Sequence, residues 1–331
     1  MNQKFLQICH QLFKASNILI LGAFLVPVNE GFTNMIYLYI ELDKDDLNMK
    51  KIEIAKQFLK QNIDLFRCPV CKESFINQVD NSIVCPNNHS LDISKKGTIQ
   101  FINHKVNTEY DGDMLESRRR IMQAGFFDGI LQKINELIDA GHKNIVDIGS
   151  GEGTPLKRLE DLRKNVDSAI GFDISKPGVN LSTSELSDQM FFCIADLANL
   201  PFNDQSIDII MDLFSPSAYK EFNRIIAPKG HLIKIVPNSR YLFELRQKLY
   251  GNDSENSSYD NQKVVDLFME HYPNAKKYDV KYTVELPKEL THDLMIMTPL
   301  HWGHNAKDLT QAEVESLTSI TVDVSILDNQ F

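Results

Sequence analysis

One tryptophan and five cysteines in 331 residues leave little material for a disulfide-stapled secreted module. Such modules spread their cysteines in pairs along the chain. Here Cys68, Cys71 and Cys85 crowd into one short stretch beside His89, while Cys9 and Cys193 stand alone as buried or idle thiols. The apolar stretch SNILILGAFLVPV, residues 16–28, is shorter than the roughly 20 residues that cross a bilayer. No small-residue cleavage site follows it, which makes it a poor signal peptide. There is no low-complexity segment and no internal repeat, so a fibre or solenoid is excluded. An excess of positive charge is missing too. The net charge of -10 argues against a generic nucleic-acid binder.

Composition is otherwise that of a globular protein, 43% hydrophobic and 24% charged, long enough for one large or two modest domains. The charge is uneven. Residues 49–120 carry 12 basic and 9 acidic side chains, net +3, whereas residues 121–331 are strongly acidic. The character of the chain changes at Met49. Helix-like periodicity through Ile52, Ile54, Ala55, Phe58 and Leu59 begins just after it. Residues 1–48 read as an extension, one reading of which is an over-extended gene start.

The positive segment contains the cysteines, in the pattern C-x2-C-x13-C-x3-H from Cys68 to His89. Two close ligand pairs can meet around one tetrahedral ion, and thiolates with an imidazole suit Zn²⁺. Four protein ligands leave no open position, so the expected site is structural. Pro69 and Pro86 fix φ in the two knuckles. Asp80-Asn81 marks a hairpin turn between the pairs. SLDISKKGTIQFI, residues 90–102, reads as strand, turn, strand. The polar segment 103–120 reads as a linker or helix approach, and residues 121–141 as one amphipathic helix ending at Gly141.

NIVDIGSGEGT then runs a buried strand straight into glycines. Asp147 lies in that strand, and Gly149, Gly151 and Gly153 follow. A strand, a glycine turn and a helix bring backbone N–H groups close to a nucleotide-like ligand. The next strand ends at Asp173, 20 residues beyond Gly153, where a carboxylate can accept from both ribose hydroxyls. Glu152, inside the loop, would repel a pyrophosphate, but it suits the cationic, phosphate-free S-adenosylmethionine. A third strand runs to Asp196, which can meet an adenine amino group, and a fourth from Ile207 to Leu213. Alternating strands and helices imply an α/β, doubly wound parallel sheet with the ligand at the strands' carboxyl ends.

VDIGSGEG, FDIS, IADLANLPF, IDIIMD and APKG stand in the order found in class I S-adenosylmethionine-dependent methyltransferases, whose Rossmann-like sheet this segment resembles. With the knuckle and LDISKKGTIQFI in front, and YDGDMLESRRRIMQAGFFDGI, IVPNSRYLFELRQKLY and LMIMTPLHWG alongside, the chain resembles the 23S rRNA guanine-N1 methyltransferases of the RlmA type from Phe66 to about Gly303. The resemblance implies S-adenosylmethionine and one structural Zn²⁺ as cofactors. It implies Cys68, Cys71, Cys85 and His89 as metal ligands, and Gly151 and Glu152 in the cofactor loop. Phe127 and Tyr241 fall on aromatic cofactor contacts that are often Tyr and His in the family. It also implies a 23S rRNA hairpin loop as partner, a cytoplasmic enzyme and a homodimer. The expected layout is an extension at 1–48, a zinc-binding RNA-recognition module at 49–105, and a methyltransferase domain at 106–331. Asp212, at the end of the fourth strand, is the candidate general base for guanine N1. Lys95, Lys96 and Arg118 to Arg120 are candidate RNA contacts, and His301-Trp302 a candidate base-stacking pair or lid packing. Two other readings stay open: a small-molecule methyltransferase of the quinone-precursor type, and a zinc-dependent RNA-binding protein without turnover.

Overall fold

The structure, a computed structural model, describes residues 18–28, 32–41, 49–102, 112–251, 260–302 and 306–331, with the side chains of residues 18–41, His301 and Trp302 outside the description. The stacking pair expected at His301-Trp302 therefore lies outside the described side chains. Contacts divide the chain into Met1–Lys50 and Lys51–Phe331. The first unit holds an antiparallel hairpin, β1 (Ile18–Val28) and β2 (Phe32–Glu41), with a register break between Ile20 and Ala23.

The second unit opens with α1 (Lys51–Asn62), which buries Ala55, Phe58, Leu59 and Asn62, one stripe at helical spacing. The Phe58 ring stacks on Phe191 at 5.4 Å, and Asn62 accepts from the Ser168 hydroxyl at 2.7 Å. Next come three short antiparallel strands, β3 (Asn77–Val79), β4 (Ser82–Val84) and β5 (Ser90–Asp92). The β3–β4 turn falls at Asp80-Asn81, with Asp80 in the left-handed region (φ 51°). Then follow β6 (Ile99–Gln100), α2 (Gly112–Gln123), α3 (Asp128–Leu137), β7 (Asn144–Ile148), α4 (Thr154–Leu162), β8 (Ser168–Asp173), α5 (Lys176–Ser182) and β9 (Met190–Ile194). The chain continues through β10 (Ile207–Leu213), α6 (Tyr219–Ile225), β11 (Ile226–Pro237), α7 (Phe243–Tyr250), α8 (Gln262–His271), β12 (Lys276–Glu285), α9 (Thr291–Ile296), α10 (Gln311–Glu315) and β13 (Ser319–Gln330).

The main sheet has eight strands in the order β12-β13-β11-β10-β7-β8-β9-β6. Pairing is parallel from β11 to β6 and antiparallel on both sides of β13. The expected doubly wound sheet is present, with an antiparallel C-terminal strand added. β9 is buried at all five positions, as a central strand covered on both faces must be. Strand order reverses between β7 and β10, which opens a crevice at their carboxyl ends.

Two features depart from the sequence reading. The helix expected over residues 121–141 is broken: α2 ends at Gln123, Gly125 turns with φ 91°, and α3 starts at Asp128. A Cβ at Gly125 would lie 2.8 Å from an Asp128 carboxylate oxygen, so no other residue fits that corner easily. The corner buries Phe126 and Phe127. The second departure is β6. It leaves the zinc-side strands and joins the main sheet beside β9, pairing Ile99 with Cys193, while the Phe101 N–H donates to Ile194 O at 2.8 Å. Phe66 packs against Phe101, Phe191 and Phe202, so both parts share one apolar core.

The far side of the sheet carries an unresolved electrostatic cost. Glu160, 1% exposed on α4, has no hydrogen-bond partner for either carboxylate oxygen. Burial, then the Asp167 charge, raises its pKa to about 8. The folded-state value lies above the unfolded one, so the folded chain binds the proton more tightly. Stability from this group is present below the unfolded value near 4.5 and is lost as pH rises towards 8. Glu160→Gln is therefore expected to raise unfolding free energy by about 2 kcal/mol at pH 8 and by little at pH 4.5. Urea unfolding at the two pH values checks this; an equal gain at both would refute the titration argument.

Candidate active site and metal centre

The zinc-side strands bring together the four residues singled out by spacing. The ligand atoms of Cys68, Cys71, Cys85 and His89 all lie within 4.8 Å of one another. Individual separations are 3.6 Å for Cys71 Sγ to Cys85 Sγ, 3.6 Å for Cys68 Sγ to His89 Nδ1, and 3.5 Å for Cys85 Sγ to His89 Nδ1. Ligands about 2.0 to 2.3 Å from one zinc ion at tetrahedral angles stand about 3.5 to 3.8 Å apart, so the set fits the ion. Backbone turns hold the ligands. Lys72 N–H donates to Cys68 O and Asn88 N–H to Cys85 O, with Lys72 and Asn88 both at positive φ. The Asn87 amide helps draw the Cys71 thiol down to about 6, towards the thiolate a metal needs.

This ribbon is fixed to the sheet by polar contacts as well as by rings. Arg67 N–H donates to Pro201 O at 3.0 Å, and Lys72 Nζ to Asn199 Oδ1 at 2.6 Å. The Arg67 guanidinium reaches Glu221 at 3.6 Å and Asp204 at 3.7 Å.

At the crevice, β7 delivers Asp147 and then the glycine turn. Gly149, Gly151 and Gly153 all take positive φ, and a Cβ at Gly149 would meet the Ser215 hydroxyl at 2.3 Å. The Gly151 N–H donates to Asp173 Oδ2 at 2.9 Å, and Ser175 N–H to Asp173 Oδ1 at 2.7 Å. The loop thus holds the carboxylate at the end of β8 in place. Glu152 is fully buried and turned onto the start of α4, accepting from Thr154 N–H at 3.1 Å and from the Thr154 hydroxyl. That position suits a carboxylate at a helix N-terminus. Asp196, just beyond β9, accepts from Ala198 N–H at 2.9 Å.

Several polar atoms here are buried and without partners: Asp147 Oδ1, Ser150 Oγ and Glu152 Oε1. Orphaned buried acceptors are costly unless a ligand satisfies them. Burial raises the pKa of Asp147, Glu152 and Asp173, and neighbouring carboxylates push Asp147 further. A crevice rich in acidic acceptors suits a ligand with an ammonium, a sulfonium and sugar hydroxyls. The residues present fit S-adenosylmethionine.

Comparison with known proteins decides the family. Residues 66–105 match the N-terminal zinc-ribbon model of RlmA, and residues 139–292 match a methyltransferase domain. A Bacillus subtilis protein provisionally named 23S rRNA (guanine-N(1)-)-methyltransferase is 36% identical over 280 residues, covering 81% of this chain and 99% of the relative. The 23S rRNA (guanine(748)-N(1))-methyltransferase of Streptomyces fradiae is 22% identical, covering 80% of this chain and 96% of its own length. The chain belongs to the RlmA-type 23S rRNA (guanine-N1)-methyltransferase family. It is an S-adenosylmethionine-dependent methyltransferase whose ribbon is built for one structural zinc ion.

Other residues singled out in the sequence of this methyltransferase fall in less expected places. Phe127 and Tyr241, 114 positions apart in sequence, are joined by one ring: Phe214 stands 5.6 Å from Phe127 and 5.2 Å from Tyr241. Phe214 follows β10 and has φ 60°, a strained conformation for an aromatic residue. Sequence reasoning passed over it, because nothing in LFSP signals a left-handed backbone. Burial pushes the Tyr241 hydroxyl up to about 12, so it stays protonated as a donor.

Asp212, the candidate base, lies near the carboxyl end of β10. It is completely buried, and its carboxylate accepts from Lys234 Nζ at 2.8 Å and from Ser215 N–H at 3.0 Å. Lys234 also donates to Ser215 O at 2.7 Å, and Ser215 Oγ to Ile148 O at 2.9 Å. The strand order brings Asp212 to the right end of the sheet, but its side chain ties down the Phe214–Ser217 loop instead.

The three arginines read as an RNA-facing run separate completely. Arg119 donates to Leu181 O and pairs with Glu185, while Arg120 forks onto Asp293 at 2.6 and 2.8 Å. Arg118 makes neither kind of contact among the described residues. Lys95 and Lys96 are exposed in the turn before β6.

Proposed function

We propose that this enzyme transfers a methyl group from S-adenosylmethionine to N1 of a guanine in a hairpin loop of 23S rRNA, in the cytoplasm, as a homodimer. The observation that carries the reading is the shared sheet: β6 ties the zinc ribbon directly to β9, and β8 beside it and β7 one strand further hold the cofactor loop. A ribbon fixed this rigidly can hold an RNA at a set distance from the crevice. The same fixture has no evident use in an enzyme acting on a small molecule, which needs only the crevice.

The ribbon's outer surface supports RNA contact. Val70, Ile76 and Val79 are more than half exposed. An open cleft of about 520 Å³ lies between α1 and the β3–β4 hairpin, lined by Lys60, Ile76, Asn77 and Gln78 together with Asp80 and the Lys56–Glu53 ion pair. Lys60 beside apolar and amide groups suits a phosphate and unstacked bases. Residues 49–105 are thus proposed as the RNA-recognition module and 106–331 as the methyltransferase domain, joined through β6. No helix among the described residues is long and apolar enough to cross a membrane.

Guanine N1 carries a proton on a base-pairing edge, so the base must be exposed in a loop and deprotonated as it attacks. The cofactor supplies an electrophilic methyl. The chain's part is positioning: Asp173 and the loop amides fix the ribose side, and Phe214 closes the crevice beside Phe127 and Tyr241.

Labelled S-adenosylmethionine and 23S rRNA from a strain lacking the enzyme provide the test. Primer extension is expected to stop at one hairpin-loop guanine. Label found only in small molecules would overturn the proposal. Light scattering of the purified chain reads the dimer separately.

A further inference from the structure

The crevice contains an electrostatic imbalance. Asp147, Glu152 and Asp173 converge on it, and two of them keep an orphaned oxygen. Such a set welcomes the ammonium, sulfonium and ribose hydroxyls of S-adenosylmethionine. It repels the remaining group, the methionine carboxylate. In a crevice of low dielectric, that repulsion needs a cation to offset it.

Helix α2 lies over the loop. The nearest atom to a Cβ built on Gly151 is a Leu115 methyl, at 3.9 Å. Buried Met114, Leu115, Ser117, Ile121 and Met122 seat the helix, and the residues after Arg118 are both committed: Arg119 to α5, Arg120 to α9. Arg118, half-buried between these anchors, has no hydrogen bond or ion pair among the described residues. Its charge nevertheless reaches Asp147, Glu152, Asp173 and Tyr241, favouring the ionised form of each. On α2 Arg118 stands three residues after Leu115, and so shares the helix face that meets Gly151 of the loop.

We infer that Arg118 is the cofactor-carboxylate clamp, its guanidinium receiving the methionine carboxylate of S-adenosylmethionine while the acidic set holds the rest of the ligand. This rests on the cofactor reading above and reassigns an arginine whose place in a basic run suggests RNA. A planar guanidinium donates two parallel hydrogen bonds to a carboxylate, which a lysine cannot copy.

Calorimetry on the full chain separates the possibilities, with S-adenosylhomocysteine as the ligand that has the carboxylate and 5′-methylthioadenosine as the one without. Arg118→Gln is expected to weaken S-adenosylhomocysteine binding roughly 10- to 100-fold and leave methylthioadenosine binding unchanged. Arg118→Lys should fall between the two. Equal affinity of wild type and Arg118→Gln for S-adenosylhomocysteine would overturn the inference; a loss confined to RNA binding, with a shallower salt dependence, would return Arg118 to phosphate contact. Equal losses for both ligands would mark a structural role and also overturn it. A wild-type chain that binds neither ligand would instead sink the cofactor reading on which the inference stands.

Discussion

Cys85→Ser is expected to release the zinc ion, lower the melting temperature by about 10 °C or more, and cut RNA methylation at least 100-fold. The stability loss follows from what the ion holds. A structural zinc site contributes on the order of 10 kcal/mol of binding free energy, which becomes folding free energy where the site does not pre-exist. Here the ligands close a ribbon too small for a core of its own. Cys85 is 1% exposed and belongs to the same apolar cluster as Phe66, Phe75, Ile83 and Phe101. Loosening it loosens the seat of β6 on β9.

The cofactor loop hangs from β7 and β8, on the other side of β9. Affinity for S-adenosylhomocysteine should therefore fall less than about tenfold, well below the loss of methylation. Zinc content by atomic absorption, melting by calorimetry and ligand affinity check the three parts. A loss of cofactor affinity as large as the loss of methylation would refute the division of labour between ribbon and loop. Retention of zinc with full activity would refute the ligand assignment.

Local chemistry made some parts of this molecule legible from sequence. β7, β8 and β10 follow their apolar runs, with β10 spanning Ile207 to Leu213 as expected, because buried parallel strands are bounded by glycine and turn residues. The metal ligands were legible because spacing alone brings two knuckles within reach of one ion. What stayed hidden depends on distant partners. Nothing in GTIQF reveals that β6 pairs with β9, nearly a hundred residues away. The arginine run reads as one basic patch, yet on a helix three successive residues point about 100° apart. Arg119 meets α5 and Arg120 meets α9, while Arg118 shares the Leu115 face that lies against the loop. Asp212 was found by strand order, but its buried partner Lys234 comes from the neighbouring strand, and only the β10–β11 register places them side by side.

That pairing carries the second large effect. Lys234→Met is expected to destabilise the fold by about 3 to 5 kcal/mol, because it leaves Asp212 uncompensated in the interior. Lys234 is 3% exposed and Asp212 fully buried. Even with Lys234 present, burial raises the Asp212 pKa to about 6. Since the folded value exceeds the unfolded one, the group's stability contribution falls as pH rises from about 3.8 through 6. Removing the lysine raises the folded value further. The Lys234→Met penalty should therefore be larger at pH 8 than at pH 5, which unfolding at both values would detect; a flat penalty would mean that the pair is not ionised. The double variant Asp212→Asn with Lys234→Met removes both charges and keeps an acceptor for the Ser215 N–H. It should recover most of the stability, since replacing both members of a buried pair leaves no stranded charge. It also separates two roles for Asp212. If the carboxylate positions the Phe214–Ser217 loop, the double variant keeps methylation within about tenfold of wild type. If it takes the guanine proton, the refolded variant stays about 100-fold or more below wild type, the usual loss for a missing base. The geometry favours the first outcome: both Asp212 oxygens are occupied by the protein, and the loop they hold carries the ring between Phe127 and Tyr241.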